Sequence, residues 1–248
     1  MPEGEEAAPL RPVPEDWSRL LAVAAHPDDL EYGAASAVAR WTSQGKDVRY
    51  LLATRGEAGI DGLDPAECAV VREQEERDGA AEVGVHHVEF LDHRDGVIEY
   101  GLPLRRDICR AIRRHRPELL ITISFELTWP GGHLNMADHR HLGVAVLDAA
   151  RDAGNRWIFP ELLDEGLEPW SGVRMVLVSG SPTPTHAVDV TASLDAGVAS
   201  LRRHARYLAG LPPSAAGGDP EPFLRGAAES LAPRFGGRPA VGFEAILI

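Results

Sequence analysis

The chain is poor in the features that would place it in several large classes. Its 248 residues hold two cysteines, Cys68 and Cys109, far apart and outside any C-x-x-C pair. A disulfide scaffold or a cysteine-based metal site is therefore not expected, and both thiols read as small buried packing residues. No uninterrupted apolar run approaches the roughly 18 residues of a membrane-spanning helix. The N-terminal stretch "MPEGEEAAPLRPVPEDW" has neither a basic start nor an apolar core, so it does not read as a secretory signal. Residues 1–17 are expected to form a disordered acidic, Pro-rich lead-in, and the protein to be cytoplasmic. Positive charge is also scarce: the net charge is -13, and the basic residues are almost all arginine. That balance argues against nucleic acid and anionic membranes as partners. Oligomeric state is left open.

What is present is a regular alternation. "LLAVAA", "DVRYLLAT", "HHVEFL", "ELLITIS" and "RMVLVSG" are short, continuously apolar runs typical of strands buried on both faces. Between them lie helical patterns over 30–43, 64–85, 102–116 and 136–153. The second opens with Asp64 as cap and Pro65 in the first turn. "HAVDVT", a helix over "SLDAGVASLRRHARYLAG" and a closing strand "VGFEAILI" follow, with the Pro/Gly-rich piece 210–222 read as a loop. The pattern predicts one α/β domain over 18–248. It is a three-layer, Rossmann-like fold with a mainly parallel sheet and helices on both faces.

In such sheets ligands bind beyond the carboxyl ends of the strands. "HPDD" (26–29), "TRGEAG" (54–59), "DHRDG" (92–96) and "SFELTWPGGHLNMADH" (124–139) all fall there. His26 and Asp29, three apart at a helix start, can point the same way. They make two ligands of a metal that wants about three N/O donors and one open position. The third is sought in "HLNMADHRH". His139 and His141 lie roughly 200° apart around a helix, so one of them, His139, is chosen. Asp28 is left beside the metal, where a general base belongs. The plainer reading of Asp28–Asp29 is a helix cap complementing the helix dipole.

"AAHPDDLEYG" with "ADHRHLG" resembles the LmbE-like (PIG-L) family of zinc-dependent N-acetylglucosaminyl deacetylases. That family includes the N-acetylglucosaminyl-phosphatidylinositol, mycothiol-pathway and bacillithiol-pathway deacetylases. "TRGEAG", the "REQE" helix, "VDVT" with His204, and "FEAI" are similar to its further motifs, so the likeness extends over nearly the whole chain. The resemblance implies Zn2+ on His26, Asp29 and His139, and Asp28 as general base. It places Arg72 toward the polar substrate; an ion pair with Glu75 or Glu76 is the alternative. Where the family reads H-P-D-H, this chain has Met136, Ala137, Asp138 and His139. The first histidine, which in relatives stabilises the oxyanion or protonates the leaving amine, is missing. Asp138 would have oriented it, and Asp138 is kept with Asp28 in the expected catalytic set. His133 or Asn135 is expected to supply the proton instead, unless Asp28 shuttles it alone. His133 as an ordinary loop histidine is the competing reading. Trp129 and Trp170 are candidates for stacking on a sugar or for core packing. The expected activity is zinc-dependent removal of acetyl from a sugar acetamide. The alternatives are an amidase acting on a thiol conjugate or antibiotic intermediate, and a non-catalytic sugar- or nucleotide-binding module. The dinucleotide version lacks a G-x-G-x-x-G after the first strand.

Overall fold

The computed structural model describes residues 8–211 and 219–248. Residues 1–7 of the expected lead-in and 212–218 of the expected loop lie outside them. The chain begins with a short strand, β1 (Arg11–Pro12), then β2 (Arg19–Ala24), α1 (Asp29–Gly33), α2 (Ala35–Ser43) and β3 (Asp47–Leu52). It continues through α3 (Pro65–Glu82), β4 (Val88–Phe90), α4 (Leu102–His115), β5 (Leu119–Ile123), α5 (Ala137–Asp152) and α6 (Glu161–Asp164). After β6 (Met175–Ser179) and β7 (His186–Asp189) come α7 (Leu194–Arg202), α8 (Ala205–Gly210), α9 (Glu221–Ser230) and β8 (Ala240–Leu247).

The strands form one eight-stranded sheet in the order β1-β7-β8-β6-β5-β2-β3-β4. Every pairing is parallel except those of β8, which runs antiparallel to β6 and β7. Side chains of a strand alternate between faces, and β2 shows the consequence. Leu20, Ala22 and Ala24 join α2, α3 and α7 in one core around Trp41 and Tyr50. Leu21, Val23 and Ala25 join α4 and α5 in the other, around Ile108, Ile112 and Val146. Each fully buried aliphatic side chain stabilises by about 1.5–3 kcal/mol, and that explains why these strands read as unbroken apolar runs.

Residues 8–17, expected as part of the disordered lead-in, are instead ordered. Arg11 and Pro12 pair with His186 and Ala187, while Val13 and Trp17 are buried, with the Trp17 ring edge-on to Trp41 at 5.3 Å. Leu10, Val13 and Trp17, all buried, are isolated apolar positions without periodicity among prolines and acids. The helix expected over 30–43 breaks at Ala34 (φ -145°), where Ser179 Oγ donates to the Gly33 carbonyl. The helix expected over 193–210 breaks at Arg203–His204. Cys68 and Cys109 are free and buried. Among the described residues no helix is long and apolar enough to cross a membrane.

The chain leaves β2 toward β3 and β4 on one side and returns through α4 to β5 on the other. The carboxyl ends of β2 and β5 thus bound the crevice at a topological switch point, and the functional side chains gather there.

Candidate active site

Two loops supply the core of the site: His26–Asp29 after β2, and the segment from Ser124 to His139 after β5. His26 Nδ1 lies 3.2 Å from His139 Nε2. Asp29 Oδ1 is 3.1 Å from the same His139 nitrogen, and Asp29 Oδ2 is 3.6 Å from His26 Nδ1. Every one of these side chains is nearly buried, yet all border a single cavity.

The partners on the far side of each ring fix the tautomers. Asn135 donates to the Ser124 and Glu126 carbonyls at 2.7 and 3.0 Å, so its Oδ1 faces His139 Nδ1 at 3.0 Å and accepts. His26 Nε2 faces two carboxylates, Asp95 at 3.1 Å and Asp138 at 3.2 Å, and donates to them. Both rings therefore turn an acceptor nitrogen toward Asp29. Three lone-pair donors converge with no hydrogen between them, which is a site for a cation. Donors held about 2.0–2.2 Å from a four-coordinate ion lie about 3.4 Å apart, and the observed spacings bracket that value. His26, Asp29 and His139 fit a divalent metal. Asp29 is kept in place by the Ala25 and His26 amides, which donate to Oδ2 at 3.0 and 2.9 Å.

Asp28 stands apart from the ligand set. Its φ of 106° lies in the left-handed region, a conformation costing a non-glycine residue about 1–3 kcal/mol. Arg72 opposes that cost: Nη2 donates to Asp28 Oδ1 at 2.8 Å and also to the Pro27 carbonyl. The Asp28 N–H donates to Glu76 Oε2 at 3.2 Å, and Tyr207 hydrogen-bonds the carboxylate. Burial pushes the Asp28 carboxyl up to about 6, against the pull of Arg72. Gly56 lets the guanidinium in. With φ 64°, a Cβ there would lie 2.5 Å from Arg72 Nη1. On the other side, the Tyr207 ring carries the guanidinium 4.0 Å from its centroid.

Arg72 departs from the ion pair with Glu75 or Glu76. It borders the cavity, and its ion-pair partner is Asp28 rather than a neighbour on its own helix. Glu75 accepts instead from the Arg206 and Tyr207 amides, which close the turn into α8. Asp138, expected to be catalytic, lies behind His26. It accepts from the Gly96 and Ile98 amides at 2.7 and 3.0 Å, and so positions both the ring and the 95–98 loop. Asn135, considered as a proton donor, is the acceptor that orients His139. His141 turns away to the Ile98 carbonyl at 2.6 Å. His133 and Met136 both line the cavity. Trp129 lines it as well, edge-on to His139 at 5.6 Å, whereas Trp170 packs elsewhere and donates to the Pro117 carbonyl.

A second group was not foreseen. Glu31, Glu76 and His204 meet in the interior, with His204 Nε2 3.7 Å from Glu31 Oε2 and 3.8 Å from Glu76 Oε2. Among the described residues, both ring nitrogens of His204, Glu31 Oε2 and Glu76 Oε1 lack hydrogen-bond partners. Burial drives His204 down to about 3 and Glu31 up to about 8, so all three side chains favour the neutral form. Only spacing from Asp28 to Glu31 within one turn hinted at this group; Glu76 and His204 come from α3 and the α7–α8 junction.

Fold and site together define an open α/β protein with a His–Asp–His donor cluster and an adjacent buried carboxylate at its switch point. Residues 21–150 match the PIG-L (GlcNAc-PI de-N-acetylase) family, and the chain belongs to that family. It is 30% identical over 191 residues to the diacetylchitobiose deacetylase of Thermococcus kodakarensis, spanning 76% of this chain and 70% of that protein. It is 28% identical over 251 residues to the 1D-myo-inositol 2-acetamido-2-deoxy-alpha-D-glucopyranoside deacetylase of Kineococcus radiotolerans, spanning 75% and 68%. The structure of N,N'-diacetylchitobiose deacetylase from Pyrococcus horikoshii shares the fold at a TM-score of 0.83, with 24% identity, 94% of this chain and 85% of that one covered. A conserved protein of Thermus thermophilus shares it at 0.73, with 23% identity, 90% and 92% covered.

Proposed function

We propose that this protein is a zinc-dependent N-deacetylase that hydrolyses the acetamide of an N-acetylglucosamine-type substrate. The observation that carries this reading is the division of labour around the switch point. Three lone-pair donors converge at one point, and a separate carboxylate sits beside them, gripped by Arg72 rather than by the donor set. The named activities of the two curated relatives support the substrate class.

A divalent ion held by His26, Asp29 and His139 would supply Lewis-acid polarisation of the acetamide carbonyl and make water more acidic. Asp28, with its carboxyl near 6, is ionised at neutral pH and accepts a proton from the attacking water. Arg72 and Glu76 hold that carboxylate in position while it does so. As the carbon–nitrogen bond breaks, the acetyl group leaves as acetate and the amine takes a proton, delivered by Asp28 or by His133 at the cavity wall. His133→Ala separates these routes: a lost alkaline limb of the pH–rate profile assigns the proton to His133, and an unchanged profile removes it from the mechanism. Trp129 gives the sugar a flat apolar face next to His139.

Acetate release from N-acetylglucosamine conjugates tests the reading. It should disappear with a chelator and return with added zinc. Release that ignores the chelator would remove the metal from the reading, and ligand binding at full affinity with no release under any metal would replace the enzyme with the non-catalytic module.

A further inference from the structure

The cavity that holds the donor cluster extends well beyond it. Its volume of about 1180 Å3 exceeds the roughly 300–1,000 Å3 of pockets that enclose a drug-sized ligand. One end is polar and carries His26, Asp29 and His139. The other is a wing between α9 and β8, walled by Phe223, Leu224, Leu231 and Val241. Trp129 stands between the ends, and Gly180 sets its place: with φ 70°, a Cβ at Gly180 would lie 2.5 Å from the ring.

The wing is apolar in its chemistry as well as its walls. Arg234 borders it, but its Nε and Nη2 donate to the Ala8 and Pro184 carbonyls and are engaged away from a ligand. Among the described residues the other ionisable side chains that line the cavity belong to the polar end, except Tyr32, whose ring packs edge-on against Phe223 at 5.6 Å. A second sugar in the wing would set its hydroxyls against the Leu231 and Val241 side chains, at the cost of desolvating them. A phosphate would meet one cation in the wing among the described residues, Arg234, two of whose nitrogens already donate to backbone carbonyls. Because wing and donor cluster are one continuous space, a group in the wing is attached to whatever offers its amide at the other end.

We infer that the substrate is an N-acetylated amino sugar bearing an apolar aglycone, alkyl or aryl, with the sugar against Trp129 and the aglycone in the wing beneath α9. This rests on the deacetylase reading above and narrows its substrate class.

Acetate release from alkyl N-acetylglucosaminides, methyl through octyl, measures it in the zinc-loaded enzyme. kcat/KM should rise about two- to fourfold per methylene until the wing is filled, as transfer of each CH2 from water dictates. Phe223→Ser, at a half-exposed position tolerant of change, and Leu231→Gln should each flatten that slope. Octyl no better than methyl, a slope unchanged in both variants, or di-N-acetylchitobiose outpacing the octyl compound would overturn the inference. Calorimetric binding of the same series to Asp28→Asn protein separates the two levels. Affinity that grows with chain length while wild type releases no acetate keeps the wing and removes the hydrolase. Acetate release with a flat slope does the reverse.

Discussion

Two clusters of histidine and carboxylate side chains meet at Asp28, and they differ in spacing, partners and access. In the outer one, His26, Asp29 and His139 have donor atoms 3.1 to 3.6 Å apart and border the cavity. Each outer ring has its second nitrogen engaged, by Asp95 and Asp138 or by Asn135. In the inner one, Glu31, Glu76 and His204 are slightly farther apart, and among the described residues neither nitrogen of His204 has a hydrogen-bond partner. Ligand residues alone do not make a metal centre. The outer cluster has oriented rings, an ionised carboxylate and access; the inner one has neutral groups, and one of them accepts the backbone N–H of the base.

The comparison breaks most completely at Asp29. Asp29→Ala should abolish metal binding and reduce acetate release to background, while Glu76→Leu should keep the metal; metal analysis of both proteins reads the contrast. Glu76→Leu should still lower kcat by about 10²-fold with little change in KM, since a base displaced by about 1 Å costs that much. Glu76→Gln should restore most of it, because a neutral amide oxygen accepts the Asp28 N–H as the neutral carboxyl does. A Gln variant as slow as the Leu variant would mean that Glu76 acts by charge. Asn135→Ala should weaken metal affinity about 10- to 100-fold, read by chelator competition, through loss of the partner that orients His139.

The smallest effect concerns stability. His204 is held down to about 3 by burial, then by Arg72, whereas an unfolded histidine titrates near 6.5. Between those values the unfolded chain binds the extra proton, so stability should fall as pH drops from about 6.5 toward 3. Denaturant unfolding at several pH values should show a shallower acid loss in His204→Gln.

The outer cluster was legible in the sequence because its parts are local. His26, Asp28 and Asp29 terminate one apolar strand, His139 follows another, and parallel α/β sheets bring such ends together. A separation of two residues on a helix sends His139 and His141 to different partners: His139 faces His26 and Asp29, and His141 faces the Ile98 carbonyl. The support was not legible. Asp95 reaches His26 from the loop after β4 and Asp138 from the first turn of α5, and Glu76 and His204 lie on separate elements, so no spacing connects them. Arg72 was singled out, but its partner could not be read, because Asp28 is 44 positions away. The reversed course of β8 and helix α9 escaped for a related reason: a closing apolar strand gives no sign of its direction, and α9 follows directly on the Pro/Gly-rich stretch.

The central claim is that Asp28 works on the water and does not hold the metal. Asp28→Asn, with metal content and kcat determined on the same preparation, tests it most directly. About one zinc per chain should remain while kcat falls by about 10²- to 10⁴-fold, the usual worth of a placed general base. Loss of the metal with the activity, or full activity with the metal in place, would contradict it.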